Sequence, residues 1–306
     1  NKMINNIIKQ QLDVYGIEVF HKGEVIFSHY FKENRAYPIY SATKAFTSTA
    51  FSIAVSEDKI SLDSKLYDFL PNSSLKFIPS CQLDNFKKID ISRLLTMSIV
   101  GFPFRSCGDN WIETILSLPI DYSAPPEFSY SNIPAYLVGV ACENAVGEHL
   151  ISYLTPRLLE PLDIKKVIYQ NCPQGHFYGA SGMELTVNEL SRLGQLYLND
   201  GVYNGTKILE KKYIKKATSS QIDNIEGGYG FYFWITENGF SISGKWGQKC
   251  LVYPKKELII TYLSNLPKSS DRMLDIANCF SENFWLIYDT SYFSEFEMHD
   301  KFAPTT

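Results

Sequence analysis

The sequence predicts an α+β (α/β) fold: an antiparallel sheet flanked by helices, built from both ends of the chain, with an inserted all-helical lobe. Three observations predict it. Two strand-like runs around a tight turn open the chain, helical segments and loops fill the stretch from about residue 62 to 169, and strand-like runs with a helical pattern close it. At 306 residues, 45% of them apolar, there is ample material for a sizeable core. The order of elements divides the chain into the first part of an α/β domain at 1–60, a helical domain at 61–174 and the second part of the α/β domain at 175–306.

Segments 14–20 and 24–31 run apolar or alternate around His21-Lys22-Gly23 and read as a β-hairpin. Residues 42–56 form an apolar helix closed by the charged turn Glu57-Asp58-Lys59. Helical patterns follow at 92–97, 110–118, 133–144 and 148–159, and 187–199 is an amphipathic helix. Segments 229–236, 240–244, 249–253 and 258–263 read as antiparallel strands, and 271–288 as a closing helix. The tail at 291–306, aromatic and then polar, leaves two placements open: docked on the body, or crossing to a partner subunit.

Chemistry concentrates at the front of the helix at 42–56. Ser41-Ala42-Thr43-Lys44 places a hydroxyl and an amine one helical turn apart on one face. Serine needs a neighbouring base to act as a nucleophile, and a lysine desolvated against an apolar helix has the lowered pKa that role requires. The same spacing recurs at Ser56/Lys59 and Ser73/Lys76, both in solvated turns. Spacing alone therefore leaves Ser41 as either a nucleophile or a plain helix N-cap. Two further segments supply context. In Phe128-Ser129-Tyr130-Ser131-Asn132 a phenol and a carboxamide stand two residues apart on a turn, offering a proton relay and an orienting dipole. Ser243-Gly244-Lys245-Trp246-Gly247-Gln248 adds a second lysine among small residues on a strand-like stretch. By themselves Tyr130 and Lys245 read as a core tyrosine and a solvated strand lysine.

Taken together and in this order, Ser41-x-x-Lys44, Tyr130-x-Asn132 and Lys245-Trp246-Gly247 resemble the motifs of the penicillin-recognising serine hydrolases: class C-type β-lactamases, D-alanyl-D-alanine peptidases and the esterases and amidases on the same scaffold. Supporting segments run along nearly the whole chain, among them Ile91-Ser92-Arg93-Leu94-Leu95-Thr96-Met97, Glu160-Pro161-Leu162 and Gly179-Ala180-Ser181-Gly182-Met183. The resemblance implies a β-lactamase/transpeptidase-like fold and an acyl-enzyme mechanism. Ser41 attacks, Lys44 and Tyr130 share the proton transfers, and Asn132 orients Lys44 and the substrate. Lys245 keeps the site positive and favours the tyrosinate, and the backbone N–H groups of Ser41 and Gln248 receive the oxyanion. Deacylation falls to Tyr130 or to a base left unassigned.

Departures from the family pattern bear on substrate. Trp246 stands where penicillin-recognising members carry a hydroxyl for the substrate carboxylate, and an indole cannot accept a hydrogen bond. Gly247-Gln248 looks more like the esterase and amidase branch, and Met97-Ser98-Ile99-Val100-Gly101 replaces the usual turn. The leading expectation is a serine esterase or amidase on a small or peptide-like substrate. The alternatives are a D-alanyl-D-alanine peptidase or weak β-lactamase, and a non-catalytic binding or sensor module.

Other function classes find little support. A net charge of −4 with scattered basic residues argues against nucleic acid and anionic membranes. No apolar stretch reaches the length of a membrane span, and the first twenty residues lack a signal-peptide pattern. His21, His29, His149, His176 and His299 are isolated and read as surface or strand-face residues, so neither a histidine triad nor a zinc site is expected, nor any cofactor. Of six cysteines, Cys142 and Cys279 fall in apolar helical patterns and read as buried thiols. Cys81 and Cys107 lie in loop-like sequence, where they pair only if the protein is exported. Free thiols and a cytoplasmic setting are the expectation.

Overall fold

The structure, a computed structural model, describes residues 2–284. It opens with α1 (Lys2–Lys9), a helix not anticipated from sequence because three buried apolar residues, Met3, Ile4 and Ile7, make too short a periodic pattern. The expected hairpin follows as β1 (Val14–His21) and β2 (Glu24–Tyr30), with positive φ at both Lys22 and Gly23 of its turn. β3 (Tyr37–Pro38) leads through one 3-10 turn, Tyr40–Ala42, into α2 (Thr43–Ser56). The helical stretch then comprises α3 (Leu83–Phe86), α4 (Ile91–Leu95), α5 (Trp111–Leu116), α6 (Ile133–Val146) and α7 (Leu150–Leu154). α7 passes into a π-helical turn at Thr155–Leu159, where Pro156 has no N–H to continue the α-helical ladder.

β4 (Glu184–Leu185) pairs with β3, and α8 (Val187–Leu198) starts on a capping box between Thr186 and Glu189. A two-stranded hairpin, β5 (Val202–Tyr203) and β6 (Thr206–Lys207), precedes α9 (Lys211–Ala217). β7 (Trp234–Thr236), β8 (Gly239–Gly244), β9 (Gln248–Tyr253) and β10 (Leu258–Ser264) complete the main sheet before α10 (Ser270–Glu282). The strand expected over 229–236 shrinks to its last three residues. Tyr232 takes a φ of 70°, and Gly230 N–H donates to the Phe233 carbonyl, so the chain turns where it was expected to extend.

The six-stranded sheet runs β2-β1-β10-β9-β8-β7, every neighbouring pair antiparallel. β1 beside β10 joins the two ends of the chain at the centre of the sheet, as expected. Side chains alternate across it. Ile260, Tyr262, Leu251 and Tyr253 face the layer of α1 and α10, while Ile259, Leu263, Cys250 and Val252 face α8 and the large core around α2. All six cysteines are free. Cys142 is buried as expected, but Cys279 is exposed, because α10 turns Met273, Ile276, Ala277 and Phe280 to the sheet and position 279 falls between them. The end of the helix expected over 271–288 and the tail at 291–306 lie outside the described residues. Among the described residues no helix is long and apolar enough to cross a membrane, and no cluster of His, Cys, Asp and Glu is arranged to hold a metal ion.

Candidate active site

α2 is buried on all sides, so its polar side chains must find partners inside the protein. Thr47 Oγ1 donates to the Gly179 carbonyl at 2.7 Å, Ser48 shares a hydrogen bond with the Tyr213 hydroxyl at 3.0 Å, and Thr49 Oγ1 donates to the Ala45 carbonyl at 2.7 Å. These bonds fix the helix that carries Lys44. Ser41 lies just ahead of it, on the 3-10 turn, after Tyr40 with a φ of 48°. Ala42 occupies the N-cap position and no side chain caps the helix, so the N-cap alternative for Ser41 fails. The Ser41 hydroxyl instead accepts a hydrogen bond from Lys44 Nζ at 3.1 Å.

Lys44 is 1% exposed, and its Nζ meets two other acceptors: Asn132 Oδ1 at 2.7 Å and the Ala180 carbonyl at 2.9 Å. Burial drives its pKa down from the ordinary lysine value to about 7. A neutral amine has two N–H donors and one lone pair. The three bonds to Ser41, Asn132 and Ala180 use all three donors of the ammonium; once neutral, with both remaining donors held by the Asn132 and Ala180 oxygens, the amine turns its lone pair to the Ser41 hydroxyl, within the reach required of a general base.

Tyr130 covers this amine, its ring centroid 4.9 Å from Nζ. Burial raises the phenol to about 12, against a hydrogen bond with Ser41 that works the other way. The phenol is therefore neutral near pH 7 and a proton donor. The resemblance implies a tyrosinate here, and burial favours the phenol instead. Phe128, Tyr229 and Trp234 pack around Tyr130 and make one wall aromatic.

Asn132 is placed by its backbone, whose N–H donates to the Phe104 carbonyl at 2.8 Å, while Ser131 Oγ donates to the Pro103 carbonyl at 2.7 Å. The altered loop after Met97 thus buttresses the Tyr130-x-Asn132 turn. The second end of the Asn132 amide donates to the Tyr178 hydroxyl at 2.9 Å. Tyr178 and the Ala180 carbonyl were missed in the sequence reading. Their one signal there was the neighbouring Gly179-Ala180-Ser181-Gly182 segment, read only as a family signature.

The β8–β9 turn closes the other side. An added Cβ on Gly244 would sit 2.1 Å from the Ile39 carbonyl oxygen, so only glycine lets this strand end lie against the chain entering Ser41. Trp246 and Gly247 both have positive φ, 64° and 82°, and the Trp246 ring meets Tyr40 edge to face at 5.2 Å. The Gln248 side chain is locked away from the site by bonds with both the carbonyl and the N–H of Ser264. Lys245 is exposed, its ammonium 4.5 Å from the Trp246 ring centroid. The structure thus gathers Ser41, Lys44, Tyr130 and Asn132 in one cluster and brings Trp246 beside it. The Lys245 side chain does not join that cluster.

The chain matches the Beta-lactamase family over residues 4–279. Among curated relatives, a "Putative D-alanyl-D-alanine carboxypeptidase" of Salmonella typhi is 19% identical, the match covering 87% of this chain and 77% of the relative. Among solved structures, a "Putative 6-aminohexanoate-dimer hydrolase from Bacillus anthracis" superposes with a TM-score of 0.75 at 19% identity, covering 90% of this chain and 80% of the other. A penicillin binding protein from Bacillus halodurans gives 0.69 at 15% identity, covering 92% and 99%. The antiparallel sheet with its flanking helices is the fold these structures share. The chain belongs to the Beta-lactamase family and is a member of the serine hydrolase superfamily.

Proposed function

We propose that this protein is a serine esterase or amidase that works through an acyl-enzyme on a small ester or peptide-like amide. One observation carries the reading: the buried Lys44 amine, with its other two hydrogen-bonding directions held by Asn132 and Ala180, stands 3.1 Å from the Ser41 hydroxyl. Ser41 attacks the carbonyl while Lys44 takes its proton. The charge that forms on Lys44 lies over the Tyr130 ring; the neutral phenol delivers a proton to the departing alkoxide or amine and takes the Lys44 proton in its place, which restores both groups. The oxyanion is held by the Ser41 N–H and an N–H of the 245–248 turn, where the resemblance names Gln248; each such donor is typically worth about 3 kcal/mol of barrier. Water then releases the acyl group, with Lys44 again neutral and in place as the base. No step calls for a cofactor.

The test is hydrolysis of 4-nitrophenyl butyrate, with a fluorophosphonate probe to mark the nucleophile. Turnover that disappears in Ser41→Ala, and a probe adduct on Ser41, are expected. Absence of both turnover and adduct overturns the reading and leaves the binding or sensor alternative.

The name of the Salmonella relative favours a second reading, a D-alanyl-D-alanine peptidase or weak β-lactamase. Trp246 weighs against it, because its indole offers no acceptor or hydroxyl where a substrate carboxylate would bind. Covalent capture of a fluorescent penicillin on Ser41 would favour this reading, and an unmodified mass after long incubation would exclude it.

A further inference from the structure

Beside the nucleophile cluster the structure has an open cavity of about 520 Å³ that the mechanism above leaves without a role. Arg105, Ser106, Trp111, Gln170, Asn171 and Tyr178 line it, and no aspartate or glutamate does. It communicates with the reacting atoms through Tyr178, whose hydroxyl accepts from Asn132, which in turn accepts from Lys44. Arg105 is also tied to the site by sequence, since the carbonyl of the preceding residue, Phe104, accepts the Asn132 N–H.

The polar groups of this cavity share one character. Arg105 is exposed and makes no ion pair or side-chain hydrogen bond with a described residue, and its charge acts on the Tyr178 phenol. Because the Tyr178 oxygen accepts from Asn132, its own O–H remains available to donate. The Ser106 hydroxyl, in a residue only 8% exposed, finds no partner among the described residues. A buried hydroxyl without a partner is costly, and a ligand oxygen would satisfy it. A guanidinium and two donor hydroxyls without a neighbouring carboxylate make a setting for an anion.

We propose that this cavity is a substrate subsite for a carboxylate, with Arg105 as the residue that selects it. The protein then prefers esters or amides that carry a free acid away from the scissile carbonyl, such as acylated amino acids. This rests on the hydrolase reading for its biological meaning, but its test does not need turnover.

Ser41→Ala protein is titrated by calorimetry with two acids, 6-acetamidohexanoate and N-butylglutaramate, and with their neutral counterparts, N-pentylacetamide and N,N′-dibutylglutaramide. At least one acid is expected to bind about tenfold more tightly than its neutral partner, the difference a charge-assisted hydrogen bond yields. Adding Arg105→Gln removes that preference, while Arg105→Lys retains part of it. Acids and neutral amides that behave alike, including neither binding, overturn the proposal, as does a preference that survives Arg105→Gln. Failure of the unaltered protein to hydrolyse 4-nitrophenyl butyrate at all overturns the hydrolase reading while the titration still decides the subsite.

Discussion

The rings of Tyr40 and Trp246 meet edge to face at 5.2 Å, and both residues have positive φ, 48° and 64°. A bulky residue at positive φ costs about 1–2 kcal/mol, and such costs cluster where a site must be held in one shape. Here the contact ties the β8–β9 turn to the turn carrying Ser41. Trp246 thus stands against the residue that precedes Ser41, and whether its indole bounds the acyl pocket is open to test.

Replacing Trp246 separates these two roles. Trp246→Gly relieves the backbone at φ 64°, whereas Trp246→Ala loses the same ring and keeps the strain. In urea denaturation the glycine variant is expected to be more stable than the alanine variant by about 1 kcal/mol. Both open the cleft, so the ratio of 4-nitrophenyl octanoate to butyrate hydrolysis should rise several-fold in each. An unchanged ratio would mean that the indole does not bound the acyl pocket.

The Lys44–Tyr130 pair sets the pH dependence. Lys44 has to be neutral to accept the Ser41 proton, and its pKa of about 7 means that kcat/KM climbs with pH through that value, falling about tenfold per unit below it. Tyr130, pushed up to about 12, stays protonated far above that range, so no alkaline decline is expected near pH 9. A pH–rate profile on a neutral ester checks both limbs. An ascending limb near the ordinary lysine value would remove Lys44 as the base.

How much of this was legible beforehand follows from where each constraint lies along the chain. Ser41 and Lys44 were readable because one helical turn fixes their relation locally. Tyr130 and Asn132 were readable only through their order relative to that pair. The partner of Asn132 was not, since Tyr178 lies 46 positions away and a lone tyrosine carries no pattern. Nor was the Ala180 carbonyl, because a backbone acceptor has no residue signature. Lys245 was expected to face the site, but positive φ at the two following residues carries its side chain onto the indole, and turn geometry at a hairpin end is not written in the alternation of its strands. The sheet itself was legible from that alternation, except at 229–233, where aromatic residues typical of a strand fold back as a loop.

Burying the Lys44 amine lowers stability below neutral pH, and the sign follows from linkage. The folded-state pKa of Lys44 is about 7, against the ordinary 10.5 when unfolded. Between these values the unfolded chain binds more protons, so stability rises with pH through that window, and the cost is fully present below pH 7. From pH 6.5 to 9 this one group accounts for about 2–3 kcal/mol. Lys44→Met abolishes turnover, and its stability should lack that rise, a comparison made by urea denaturation of both proteins at the two pH values. Parallel pH dependence in the variant would show that Lys44 titrates normally in the fold.

Asn132→Asp tests the same amine from the side of its partner. The Asn132 oxygen lies 2.7 Å from Lys44 Nζ as a neutral acceptor, so it orients the amine without fixing a charge on it. A carboxylate there favours the ammonium, and an opposite charge at this range raises a lysine pKa by about 1–3 units. The ascending limb of the pH–rate profile should therefore move upward by at least about one unit, with activity near pH 7 falling tenfold or more and recovering as the pH is raised. Asn132→Ala also loses the orientation, but it introduces no charge, so its activity should fall without recovering at high pH. If the aspartate variant is slow at every pH with its limb unmoved, the Asn132–Lys44 contact does not govern the protonation of the base.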